Sequence, residues 1–173
     1  RVHPIITKGG DLVNSVPADV RIETYVRAKT MEAIEATHKK VDTALKAGGD
    51  AVGAQTVIAT MPGQLPLACN NRLNELFVTN AKIAEPNVAV KDAGHFSAST
   101  DMGDVSHLLP VIHPFIGGVD GFLHTADFHV VDFKHAVLLP AKAFAMMIVD
   151  LLADDAELAR QIKAEHHPLL TKE

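Results

Sequence analysis

The sequence predicts an α/β fold, and three stretches carry that prediction. Val20, Ile22, Thr24 and Val26 alternate with Arg21, Glu23, Tyr25 and Arg27, the period of two of a half-buried strand. Met31, Ile34, Val41 and Leu45 recur at helical spacing behind Thr30, a residue suited to cap a helix. Residues 141–152, Ala-Lys-Ala-Phe-Ala-Met-Met-Ile-Val-Asp-Leu-Leu, are apolar on nearly every side and read as a buried helix packed on a sheet.

Taken in order, Val2 to Thr7 is a β-branched run closed by Gly9-Gly10, hence a strand before a turn. The strand at 20–27 follows, with Arg27 on its polar face. The helix from Thr30 gains i,i+4 pairs at Glu35–Lys39 and Asp42–Lys46 and is expected to stop at Gly48-Gly49. Gln55 to Thr60 then reads as another strand. The order strand, strand, helix, strand is what a ferredoxin-like unit keeps when its first strand and helix are removed. Met61-Pro62-Gly63 and Leu65-Pro66 continue neither ladder, so a boundary is expected there, with one unit over 1–63 and another over 64–173.

In the second unit Asn70 or Asn71 can cap a helix carrying Leu73, Leu76, Phe77, Ile83 and Ala84, which Pro86 ends. Val111 to Ile116 reads as a short strand interrupted by Pro114. Pro140 suits the first turn of the apolar helix. Asp154 with Glu157 resembles the capping box of a final, more polar helix reaching about Glu165.

Composition narrows the function. A net charge of −5, with scattered rather than clustered basic residues, offers no face for nucleic acid. No uninterrupted apolar run approaches the roughly 20 residues that span a bilayer, so no membrane partner is expected. The single cysteine, Cys69, excludes an internal disulfide framework and fits a reducing cytoplasm. The chain opens at Arg1 inside a strand, which predicts that a segment of the protein precedes it. Of 10 histidines, six fall between His95 and His135, a hint of metal or proton chemistry.

Four motifs sharpen that hint. Residues 99–106 read Ser-Thr-Asp-Met-Gly-Asp-Val-Ser, 124–128 read His-Thr-Ala-Asp-Phe, Asn14 precedes Pro17 by three positions, and Arg27 closes a Val-Arg pair. Together they resemble the C-terminal part of the M-twenty metallopeptidases, the dinuclear zinc aminoacylase and carboxypeptidase family, and most closely its aminobenzoyl-glutamate hydrolase branch. The resemblance implies a remainder of a ferredoxin-like lid and dimerisation domain followed by the C-terminal part of a zinc-peptidase αβα domain. It implies an amidohydrolase that cleaves aminobenzoyl-glutamate-like substrates, dipeptides or N-acyl amino acids with two divalent metals per intact subunit, zinc or manganese. It also implies a homodimer formed through the lid.

Carried over residue by residue, the resemblance makes His124 one metal ligand, with Asp127 or Asp101 as the acceptor on its other ring nitrogen. Ser99, Thr100 and Asp101 would shape the substrate pocket, although the same three residues are also suited to cap a short helix running to Leu108. Asn14 and Arg27 would grip the substrate carboxylate, the guanidinium through a bidentate pair. On residue type alone an ordinary turn asparagine and strand arginine is the favoured reading. His95, His107 and His113 could line the pocket without being ligands. The family's His-x-Asp element, bridging carboxylate and adjacent Glu pair have no match here, so the general base is missing and this chain alone is expected to be inactive. Two other readings stand beside it: a noncatalytic dimerisation and ligand-binding piece, and a small histidine-rich metal-storage protein.

Overall fold

The computed structural model describes residues 1–92, 94 and 99–170. It is α/β, 44% helical and 10% strand, and its strands form two separate two-stranded antiparallel sheets. The chain divides into two compact units, Arg1–Pro66 with Ser99, and Leu67–Gly94 with Thr100–Glu173.

In the first unit β1 (Val2–Lys8) pairs with β2 (Arg21–Val26), placing Val2 opposite Val26, His3 opposite Tyr25 and Ile5 opposite Glu23, with an irregularity between Ile6 and Lys8. The long connection is tied at its base by Asp19, whose carboxylate meets Lys8 Nζ at 3.1 Å and Arg21 Nη2 at 2.9 Å. Strand side chains alternate between faces. Thr24 and Val26 are accordingly half-buried while Glu23 and Tyr25 face water. Helix α1 (Met31–Ala51) starts as its sequence requires, with Thr30 Oγ1 accepting from the Ala33 amide. The expected stop at Gly48-Gly49 is not used. The helix runs on to Ala51, and the chain then folds back so that the Ala54 amide donates to the Gly49 carbonyl at 2.9 Å. A side chain at position 49 would collide with Thr56 Oγ1, so glycine serves that close return rather than termination. Neither expected lysine pair appears among the ion pairs of the described residues, where His38 Nε2 lies 3.5 Å from Asp42 Oδ2 instead.

Gln55 to Thr60 is not a strand, which corrects the expectation of a third ladder member. Among the described residues β1 and β2 pair only with each other, and this segment joins neither outer edge.

In the second unit α2 (Asn71–Ala84) packs against α4 (Leu139–Glu165). Leu73, Phe77 and Ala81 meet Ala143, Met147 and Ile162 in the one core cluster of buried residues described, with the Phe77 and Phe144 ring centroids 4.9 Å apart. Asn70 caps α2 by accepting from the Leu73 amide at 3.0 Å. Arg72 Nη1 reaches both carboxylate oxygens of Glu165, at 2.8 and 2.9 Å, binding the start of α2 to the end of α4. A one-turn π-helix, Lys134–Leu138, leads into α4, and Pro140 lies in the helix's first turn as expected.

Three expectations are corrected here. Val111 to Ile116 is irregular rather than a strand, since Pro110 just before it and Pro114 within it remove ladder donors. The helix at 141–152 is not buried all round: Phe144, Ile148, Val149 and Leu152 are exposed while Leu139, Ala143 and Met147 are buried. Asp154 does not open a capping box. Ala153 has left the helical region, and Asp154, Asp155 and Ala156 take left-handed φ values of 48°, 59° and 58°, so α4 is two helical stretches joined by a kink. The segment Lys134–Glu165 is long and apolar enough to cross a membrane by length and composition, with a mean hydropathy of 1.9 over its best window. That differs from the expectation that no such stretch exists, because the average tolerates the Lys142 and Asp150 that interrupt the apolar run. One face of this helix is already packed on α2.

Candidate functional site

The Ser-Thr-Asp-Met-Gly-Asp-Val-Ser motif builds a short helix, α3 (Met102–Ser106), with Asp101 at its N-cap. The Met102 amide donates to Asp101 Oδ1 at 3.0 Å and to Thr100 Oγ1 at 3.3 Å, while the Thr100 hydroxyl donates to Asp101 Oδ1 at 3.2 Å. Thr100 and Asp101 therefore fill the capping role; Ser99 is exposed. Ser106 is the residue that the sequence reading passed over. Its hydroxyl, buried, donates to the Gly103 carbonyl at 2.5 Å and accepts from the Ala68 amide at 3.0 Å, pinning the segment that leads into α2. The neighbouring His107 carbonyl accepts the amides of Leu169 and Leu170, so this motif also holds the chain after α4. A serine three residues after a glycine at the end of a short helix was the available signal.

His124 occupies the loop between two short paired strands, β3 (Val119–Asp120) and β4 (His129–Val130). It is exposed and has φ +67°, a left-handed conformation uncommon for histidine. The loop is closed by Gly121, φ +87°, whose missing side chain lets the Asp127 carbonyl approach. Asp127 accepts from the Thr125 hydroxyl and its carbonyl contacts His129 Nδ1 at 2.6 Å. The Thr125 hydroxyl is the main reason the Asp127 carboxyl is held below its ordinary value. Of the two acceptors expected for His124, Asp127 is thus engaged with Thr125 and Asp101 with the α3 cap. A parallel pair stands further on, where His135 Nδ1 lies 2.6 Å from Asp132 Oδ2.

Among the described residues no three histidine, cysteine, aspartate or glutamate side chains stand together in a way that could hold a metal ion. A catalytic zinc takes about three protein ligands plus water, so the donors described here do not fit a metal centre, and His124 would bring a single one. His95 lies outside the described residues. His107 is buried, and His113 stacks on Phe115 with ring centroids 5.7 Å apart and its Nδ1 buried without a hydrogen-bond partner among the described residues.

In the first unit Arg27 stands just past β2, its amide donating to the Arg1 carbonyl at 2.9 Å. Its guanidinium carbon lies 5.2 Å from the centre of the Tyr25 ring, a cation–π distance. Nε is buried with no hydrogen-bond partner among the described residues. A guanidinium unmatched among the described residues, beside an exposed ring, is chemically suited to receive an anion. Asn14 lies exposed in the turn at the other end of the hairpin, where the Ser15 amide meets the Leu12 carbonyl at 3.4 Å. Arg21 and Arg27 bracket β2, a run of roughly 20 Å, so the strand itself does not bring Asn14 and Arg27 together.

No family model matches the chain. Over 166 residues, 91% of this chain, it is 31% identical to the Xaa-Arg dipeptidase of Mus musculus, and over 160 residues, 88% of this chain, it is 28% identical to the Xaa-Arg dipeptidase of Homo sapiens. The chain spans 38% and 37% of the lengths of these two curated relatives. Both relatives are dipeptidases by name, and the likeness runs over nearly the whole of this chain.

Proposed function

We propose that this chain serves a metal-dependent dipeptidase or closely related amidohydrolase, and that its first unit holds the substrate's terminal carboxylate through Arg27. The observation that carries the reading is the guanidinium set over Tyr25 with Nε unmatched. A carboxylate there would gain a charge-assisted, two-point contact. Relatives named for Xaa-Arg dipeptides favour a dipeptide over aminobenzoyl-glutamate or an N-acyl amino acid. The likeness to these dipeptidases supports divalent metal use. Because the described donors do not assemble a centre, no hydrolytic step is assigned to His124 or to any other residue of this chain. Pairing of two copies through the first unit belongs to the same proposal, supported by the free outer edges of β1 and β2 among the described residues, as does a cytoplasmic setting.

A second reading is favoured by the missing donor trio: the chain by itself binds ligand without turning it over. The experiment is a hydrolysis panel of dipeptides, aminobenzoyl-glutamate and N-acyl amino acids, run with added zinc or manganese and with chelator. Chelator-sensitive dipeptide cleavage, with Arg27→Ala raising KM several-fold at little change in kcat, supports the first reading. Ligand binding without turnover supports the second. Neither binding nor turnover overturns both.

A further inference from the structure

Arg27 is one end of a longer polar strip. Alternation along β2 puts Glu23, Tyr25 and Arg27 on one face, and the register sets Ile5 beside Glu23 on the adjacent strand. Tyr25 is 64% exposed and Ile5 61% exposed, so their apolar surfaces form an open floor between a carboxylate and a guanidinium. Glu23 is exposed and has no hydrogen bond or ion pair among the described residues. The nearest cation on its own strand face, Arg21, is already bound to Asp19 at 2.9 Å. Glu23 is therefore a free negative charge, and Arg27 an unmatched positive one.

Dimensions make the strip selective. Glu23 and Tyr25 are two residues apart, about 7 Å along a strand. The Arg27 guanidinium leans back over Tyr25, within 5.2 Å of its ring centre, so the anion site sits above Tyr25 rather than at the strand's end. In an extended arginine residue the carboxyl carbon and the guanidinium carbon are separated by six bonds of about 1.5 Å, roughly 7 Å in all. A basic residue laid along the strip would put its carboxylate on Arg27, its methylenes over Tyr25 and Ile5, and its cation at Glu23. Leucine would fill the floor and leave Glu23 unmatched; glutamate would meet repulsion there.

We infer that Glu23 is a specificity-determining residue that selects ligands whose carboxylate-bearing residue has a cationic side chain. The inference rests on the proposed role of Arg27 and adds a second recognition point to it.

The chain carries its own reporter, since Tyr25 is its only tyrosine and it has no tryptophan. Titrating the full chain with Nα-acetyl-arginine and with Nα-acetyl-citrulline, its uncharged counterpart, should quench or enhance tyrosine emission with the arginine ligand about threefold to fivefold tighter, the scale of a partly exposed ion pair. Glu23→Gln should erase the difference, and Glu23→Lys should turn the preference toward Nα-acetyl-glutamate. Equal affinity for the two ligands, a ratio unaltered by Glu23→Gln, or no response of Tyr25 to either ligand overturns the inference. The hydrolysis panel judges the dipeptidase reading separately, because metal-dependent cleavage of dipeptides without preference for a basic residue would keep that reading and remove Glu23 from it.

Discussion

The side-chain amide of Asn80 on α2 donates to Asp150 Oδ2 on α4 at 2.7 Å and to the Leu76 carbonyl at 3.1 Å. Asn80 is 2% exposed, so this polar bond crosses the same interface that buries Phe77 and Met147. A buried amide without its acceptor costs its desolvation, and the acceptor here carries charge. Asn80→Ala should lower unfolding stability by about 1–3 kcal/mol, and Asn80→Asp should lower it further at neutral pH by facing Asp150 with a like charge. Acidification should restore part of the Asp variant's loss. Denaturant midpoints at two pH values check this; equal midpoints for wild type and both variants would remove the bond from the packing account.

Ser106 and Asp101 separate two roles within one motif. Ser106→Ala removes the partner of the Ala68 amide and should destabilise by about 1–3 kcal/mol; Asp101→Ala removes a helix cap worth about 1 kcal/mol. Ser99→Ala, at an exposed position, should leave thermal stability unchanged. If Ser99→Ala also leaves ligand affinity unchanged, the pocket role proposed for it fails.

The left-handed turn inside α4 predicts a gain. At φ 58° Ala156 holds a conformation that glycine adopts freely. Ala156→Gly should therefore stabilise by about 1 kcal/mol, whereas the same change at Ala145, inside the regular helix, should destabilise by a similar amount. Opposite signs in melting temperature check the kink.

Acid should erode the second unit through carboxylates held low. Asp132 is lowered from 3.8 chiefly by the hydrogen bond from His135, and Glu85 from 4.5 chiefly by Lys134, whose Nζ lies 2.6 Å away. For a depressed carboxyl the stabilisation is complete above the unfolded value and disappears as pH falls through the folded one. Stability should therefore decline below about pH 4.5, and Asp132→Asn should flatten that decline. A pH series of melting temperatures with no difference between wild type and Asp132→Asn would exclude the pair.

Local chemistry was the legible part of the sequence. Thr30, Asn70 and Asp101 cap their helices because a cap depends on residues two or three positions away. The strands at 2–8 and 21–26 were visible because each finds the other across a turn. Gln55 to Thr60 and Val111 to Ile116 have similar composition but no described neighbouring strand, and nothing within their own residues states whether a partner exists. The same limit governs the site. The sequence gathered His124, Asp101 and Asp127 into one idea, whereas the fold commits Asp101 to a cap and Asp127 to Thr125. Arg27 stands at the end of the strand the alternation marked, yet its neighbours Tyr25 and Glu23 were visible only as alternating strand positions.

The uncovered side of α4 has a practical corollary. Phe144, Ile148, Val149 and Leu152 are 38%, 55%, 67% and 64% exposed, forming a continuous oily stripe on a surface helix. Contiguous stripes of this kind drive molecules together in water. Handled in isolation, the chain should therefore elute earlier from a sizing column as its concentration rises, bind hydrophobic dyes while still folded, and remain dispersed best in mild detergent.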